Sequence, residues 1–263
     1  MISDENIVAQ GGKSKIIIED VTVQFKENPT MILGFAGVGL LGPIIGNTFI
    51  DQIEDLKEIG FVATDMLPPI AVFYDGILKH PFRLYYSAKY NIILGMSEVP
   101  FHVSSAYNDL SKTFCKWATS EDVNVGEIIA FQGIPQNGMI DEFPVYYAAE
   151  EESMDVLQNL DIKKVEKGII TGAEATLVNE ALTNKLKAIV FFTPVYKIAT
   201  PEGAASIIEI LNNMYDLNID TKKLIEEGQD IKKKMHELAE KAHQFQRKQL
   251  GQSGEEGYTG YYQ

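Results

Sequence analysis

Apolar positions along this chain change rhythm repeatedly, and each change marks an element. Lys15 to Phe25 carries Ile16, Ile17, Ile18, Val21, Thr22 and Val23, a β-branched stretch that predicts one or two strands split near Asp20. Met31-Ile32-Leu33 fits a buried strand and runs straight into the glycine-rich phrase GFAGVGLLGPIIG. From Leu40 to Ile59 the residues Leu41, Ile44, Ile45, Phe49, Ile53 and Leu56 keep a nearly helical period, which predicts a long helix closed by Gly60. Phe61–Met66, Ile70–Tyr74, Phe82–Ala88 and Asn91–Met96 read as successive strands, several of them antiparallel partners, punctuated by Pro68-Pro69, Asp75-Gly76 and His80-Pro81.

A second helix is predicted over Ser104–Asp122, where Tyr107, Leu110, Phe114 and Trp117 form one stripe. Gly126–Gln132 reads as a strand and Gly133–Phe143 as a loop. From Val145 the pattern alternates: strand Val145–Ala149, helix Glu151–Leu160, strand Gly168–Thr171, helix Ala173–Leu186, strand Ala188–Thr193, helix Pro201–Tyr215. Such alternation argues for parallel strands covered by helices. Thr221–Leu250 then turns Lys- and Glu-rich, and Ile231, Met235, Leu238, Ala242 and Phe245 recur in steps of four and three along one long helix. That helix either packs as an ordinary amphipathic terminal helix or projects as an arm.

Composition narrows the function classes. Thirty-seven acidic against 23 basic residues give a formal net charge of -14, which repels nucleic-acid phosphates and anionic membranes, so neither is an expected partner. The start MISDENIVAQGG lacks the basic and apolar regions of a signal peptide, and no apolar run reaches the roughly twenty residues of a membrane helix, so the expected location is cytoplasmic. One cysteine, Cys115, leaves no intramolecular disulfide and no multi-cysteine zinc site. It lies beside the apolar stripe of its helix and reads as a packing residue. His236 and His243 have no third ligand nearby in sequence, so no metal is expected there.

Two stretches imitate phosphate sites. Gly11-Gly12-Lys13-Ser14 resembles the end of a P-loop, but the first glycine of that motif would fall at Ile7 and the long strand follows it instead of preceding it. Gly37-Val38-Gly39-Leu40-Leu41-Gly42 matches G-x-G-x-x-G, whose glycines can bring helix amides against a diphosphate. Pro43 follows at once, and the acid expected about twenty residues later has no clear place, Asp65 being imperfectly spaced. Gly34, Gly37, Gly39 and Gly42 therefore form either a close-packing turn or a ligand turn, with packing or subunit contact the favoured use. If the chain were a nucleotide- or phosphate-binding α/β enzyme using this turn, Asp65, Asp75, Glu98 and Glu174, near predicted element ends, would be its candidate acids. Against an enzyme stand the missing nucleophile elbow, HExxH and complete P-loop.

The phrase GFAGVGLLGPIIGNTFIDQI, followed by Gly60-Phe61-Val62 and Leu67-Pro68-Pro69, then Thr171-Gly172-Ala173-Glu174-Ala175 and Pro201-Glu202-Gly203-Ala204-Ala205, resembles in order the proteasome assembly chaperone family. The likeness is to its archaeal PbaA and PbaB type, with PbaB nearest through the tail, and covers most of the region from Lys15 to Leu217. It implies a phosphorylase-like three-layer α/β/α sandwich with a mixed sheet, no catalysis, no cofactor, and a homo-oligomer, tetramer or pentamer.

The tail GQSGEEGYTGYYQ has glycines and no apolar periodicity, so it reads as a flexible tether. It ends on Tyr261, Tyr262 and Gln263, the order hydrophobic, tyrosine, any residue of the HbYX motif. The resemblance implies docking of these residues, with the terminal carboxylate paired to a lysine, between α-subunits of the core proteasome or its α-ring. The expected organisation is a loose leader at 1–14, an α/β core at 15–220, an amphipathic helix at 221–250 and a docking tail at 251–263.

Overall fold

The computed structural model describes residues 6–101, 103–160 and 162–234. A ten-stranded mixed sheet forms its centre. In chain order its strands are β1 (Ile7–Gln10), β2 (Lys15–Ile18), β3 (Thr30–Gly34), β4 (Lys57–Ala63), β7 (Phe82–Ser87), β8 (Ile92–Ser97), β9 (Glu127–Pro135), β10 (Tyr146–Ala149), β11 (Lys163–Lys164) and β12 (Ala188–Val195), while β5 (Val72–Tyr74) and β6 (Ile77–Lys79) make a separate hairpin. The spatial order is β1-β2-β4-β7-β8-β3-β9-β12-β10-β11. β8, β3, β9 and β12 run parallel at the centre, and β1, β2, β4 and β7 extend it antiparallel on one side.

Five helices cover the sheet: α1 (Leu41–Gln52), α2 (Ser104–Ala118), the short α3 (Met154–Leu157), α4 (Ala173–Thr183) and α5 (Pro201–Tyr215); residues 222–234 are also helical. The central strands are apolar at nearly every position because both faces are covered. Met31, Leu33, Ile128, Ala130 and Val190 point into one core with Leu110, Phe114 and Trp117 of α2 and Leu177 of α4. Ile32, Ile129, Phe131, Ile189 and Phe191 point into the other, against Ile45 and Phe49 of α1 and Ile207, Ile208 and Leu211 of α5. This is the expected three-layer α/β/α sandwich, its mixed sheet included.

Several boundaries differ from those the sequence predicts. The first helix stops at Gln52 and β4 begins at Lys57, so Gly60 lies inside a strand and caps no helix. Ile53, Leu56 and Ile59 imitate a helical period, but Ile53 already has extended backbone. A Cβ on Gly60 would lie 2.0 Å from the Ile17 carbonyl oxygen, so backbone approach across β2 and β4 fixes that glycine. The stretch after Asp20 forms a turn in place of a second strand, its side chain accepting from the Thr22 amide at 3.0 Å. Of the helix read at Glu151–Leu160, residues 151–157 are helical, a 3-10 segment Glu151–Ser153 leading into α3, and the helix ends there; residues 168–171 pair with no strand while Lys163–Lys164 does. β10 pairs antiparallel to β12, a departure within this half from the parallel strands that its alternation predicts, in keeping with the mixed sheet expected overall.

The β5–β6 hairpin turns on Asp75 (φ 49°) and Gly76 (φ 79°), two left-handed residues in succession, the backbone that a two-residue hairpin favours. It is fastened to the sheet through Tyr74, whose hydroxyl donates to Glu98, and Glu98 pairs with the buried Arg83 at 2.9 Å.

The leader is tied down from residue 7 onward. The Lys13 and Ser14 amides donate to the Asp109 carboxylate at 3.0 and 2.6 Å, and the Gly11 amide donates to Thr113 Oγ1 at 3.0 Å. The P-loop look-alike thus wraps an anion that belongs to this chain. Burial works against the Asp109 charge, yet the hydrogen bonds from Ser14 and Lys13 hold its carboxyl below the usual carboxylate range. Among the described residues no helix is long and apolar enough to cross a membrane, and no group of three His, Cys, Asp or Glu is placed to hold a metal.

Candidate functional site

β3 passes through a tight turn into α1, and the four glycines of that turn divide by what surrounds them. A Cβ on Gly34 would stand 2.9 Å from the Gly42 carbonyl oxygen, and one on Gly42 would stand 2.5 Å from that of Phe35. Backbone meets backbone there, leaving no room for any side chain. Gly39 has φ 80° and would drive a Cβ to 2.6 Å from Val195 Cβ, while its carbonyl accepts from the Thr200 amide at 3.0 Å just ahead of α5. Gly37 differs: the nearest atom to its Cβ position is Glu174 Oε1, 3.9 Å away across open space.

That space is a cavity of about 230 Å³ at the carboxyl ends of the parallel strands β3 and β9. Its walls are the 35–38 turn, Pro100 and Phe101, Tyr107 of α2, Phe131 and Gln132 of β9, and the Thr171–Glu174 turn. Helices α1 and α4 cover opposite faces of the sheet, and both begin here. This is the crevice where open α/β sheets commonly receive ligands.

Glu174 supplies the charge at this site. It is only 7% exposed, and burial pushes its carboxyl up to about 7 while its own backbone amide pulls the other way. The carboxylate sits between two glycines, 3.4 Å from the Cβ position of Gly172 and 3.9 Å from that of Gly37. Nearby polar groups are otherwise occupied: the Tyr107 hydroxyl donates to the Phe101 carbonyl at 2.6 Å, and Gln132 Nε2 donates to Thr171 Oγ1 at 3.0 Å. Burial and the Glu174 charge both raise the Tyr107 hydroxyl above its ordinary value.

No lysine, arginine or histidine is among the described lining residues. A diphosphate would meet a carboxylate and aromatic rings, with Gly34, Gly39 and Gly42 already committed to packing, so the cavity is poorly built for phosphate in spite of its G-x-G-x-x-G spacing. Of the four acids singled out in the sequence, Glu174 alone lines the cavity. Asp65 faces Lys13 at 3.7 Å on the surface, Asp75 is the hairpin turn, and Glu98 is bound to Arg83. The aromatic walls escaped sequence reading because Phe35, Phe101, Tyr107 and Phe131 come from four separate segments.

Cys115 is buried within the α2 core, and burial, with Glu180 adding to it, pushes its thiol up to about 12. The residues Tyr261, Tyr262 and Gln263, the two histidines at 236 and 243, and the predicted helix beyond 234 lie outside the described residues.

Comparison with known proteins adds an independent line. The model of the PAC2 family matches residues 31–239. The uncharacterized protein MJ0106 of Methanocaldococcus jannaschii is 30% identical over 227 residues, spanning 85% of this chain and 90% of that one. The crystal structure of Pyrococcus furiosus PbaA, described as an archaeal homolog of proteasome-assembly chaperone, matches at TM-score 0.75 and 26% identity, covering 94% of this chain and 100% of that one. Pyrococcus furiosus PbaB, described as an archaeal proteasome activator, matches at TM-score 0.71 over 86% of this chain and 99% of that one. At 16% identity, that second likeness is one of fold alone.

Proposed function

This chain belongs to the PAC2 family, and from that premise we propose that it is a non-catalytic assembly chaperone or activator-like partner of the core proteasome. In this reading it binds α-subunits or the α-ring through Tyr261, Tyr262 and Gln263. The observation that carries the proposal is the likeness to PbaA along nearly the whole chain, at 26% identity. The tyrosine-rich tail, unusual in an otherwise glycine-rich and polar segment, supports the docking element.

The physics of the tail also calls for a particular assembly. Two tyrosine rings offer large apolar area with few rotors to freeze. Burying each contributes about 1.5 to 3 kcal/mol before the entropy of ordering the tether is subtracted, so one tail binds weakly. Several tails on one rigid oligomer would raise the effective concentration and strengthen binding by roughly 10² to 10⁴. A homo-oligomer is therefore part of the proposal; a tetramer or pentamer is the size that the family resemblance implies, and a cytoplasmic location belongs to the same reading.

The chemistry of the cavity supports a role without catalysis. Among its described lining residues Glu174 has no second acid, histidine or lysine with which to divide acid and base work. The alternative of a phosphate-binding enzyme finds no cation among the described lining residues to favour it.

The test is co-migration on native gels and by size exclusion, with purified archaeal core proteasome and with isolated α-subunits in separate arms. A complex with either supports the proposal, and the arm in which it forms separates activation from assembly. Free migration in both arms overturns it.

A further inference from the structure

The cavity beside Glu174 has features that proteasome docking does not use. Its acid is buried, faces two glycines that supply no side chain, and has no ion-pair partner among the described residues. Its own backbone amide in the first turn of α4 offsets part of the cost of that buried charge, and a group of opposite sign would offset more. Four aromatic side chains, Phe35, Phe101, Tyr107 and Phe131, stand among the lining residues, with Phe101 and Tyr107 in edge contact at 6.1 Å between centroids. A carboxylate among aromatic rings is the environment that recognises an organic ammonium ion, through a charge-assisted hydrogen bond and attraction to the ring faces.

We propose that this cavity is a binding site for a small alkylammonium ion, with the cationic head on Glu174 and the hydrocarbon part against Phe101, Tyr107 and Phe131. Size agrees with that class. A cavity of about 150 Å³ holds benzene, so the 230 Å³ here admits a somewhat larger molecule. Anions are disfavoured by the carboxylate, with no cation among the described lining residues, and a neutral hydrocarbon would leave the carboxyl without an oppositely charged partner. The exposed rim at Gly37, Pro100, Thr171 and Gly172 leaves a way in. The inference is independent of the proteasome reading and stands or falls without it.

Titration calorimetry on the full chain at pH 8 tests it, with n-butylammonium chloride, sodium n-butyrate and inorganic phosphate as the probes. The ammonium probe is expected to bind saturably with a dissociation constant on the order of 1 mM, and the two anions not at all. Glu174→Gln should weaken that binding at least about tenfold. Gly37→Val, whose side chain would be built toward Glu174 Oε1, should block it independently. Circular dichroism establishes that each variant is folded, and either one suffices to decide. The proposal is overturned if n-butylammonium shows no saturable binding up to about 50 mM, if either anion binds in its place, or if n-butylammonium binding is unchanged in a folded variant.

Discussion

Replacing Glu174 with Gln should make the protein more stable at pH 8, although it removes a buried residue's charge from a crevice at the centre of the fold. Burial raises this carboxyl from 4.5 to about 7. A carboxyl that titrates higher in the folded chain binds more protons when folded. Its stabilising contribution is therefore intact below pH 4.5 and is lost as pH rises from there to about 7. The gap between the two values corresponds to roughly 3 kcal/mol at pH 8, and Glu174 is only 7% exposed, so solvent screening does little to reduce it. Glutamine keeps the shape and an acceptor for the backbone amide while removing the charge.

For a chain of this length that energy corresponds to about 6 °C in melting temperature. Calorimetric melts of parent and variant at pH 8 and near pH 4.5 measure it, and the exposed Glu19→Gln corrects for the general relief of a net charge of -14. The variant should melt higher at pH 8, with the difference nearly gone at the acid end. A difference independent of pH, or a parent that is the more stable at pH 8, would refute the reasoning.

The glycine turn makes an internal contrast: Gly42→Ala forces a Cβ to 2.5 Å from the Phe35 carbonyl oxygen and should cost about 2 kcal/mol or more, whereas Gly37→Ala, with nothing nearer than 3.9 Å, should stay within about 0.5 kcal/mol, both read from urea midpoints. Arg83→Met strands Glu98 beside a buried face and should lower stability by about 3 kcal/mol in the same assay. The double change with Glu98→Met should recover part of that loss, and a fully additive loss would contradict a coupled pair. Cys115, buried and with its thiol pushed up to about 12, should react with a thiol reagent at neutral pH only as fast as the chain opens, so labelling in native buffer should be slow and in denaturant immediate.

Much of this architecture is legible in the sequence, and the misses share a cause. α5 spans Pro201–Tyr215 as read, because proline opens it and an apolar stripe sustains it. The central strands are legible because burial on both faces makes them continuous apolar runs. The boundary between α1 and β4 is not, since Ile53, Leu56 and Ile59 satisfy a helical spacing while serving a turn and a strand. The site follows the same logic. Glu174 is one of four candidate acids in the sequence, and only the sheet order, which sets β3 beside β9 and brings α4 to the same crevice, selects it. Which glycines pack and which face open space depends likewise on neighbours far off in sequence, Val195 for Gly39 and Glu174 for Gly37.

The central claim is docking to the proteasome through the tail, and binding to an immobilised archaeal core proteasome tests it most directly. Full-length chain would be compared with a chain ending at Gly260 and with Tyr262→Ala, each first checked for oligomeric mass. The account predicts that both changes abolish binding while the oligomeric mass is unchanged. Undiminished binding by the chain that ends at Gly260 would contradict it.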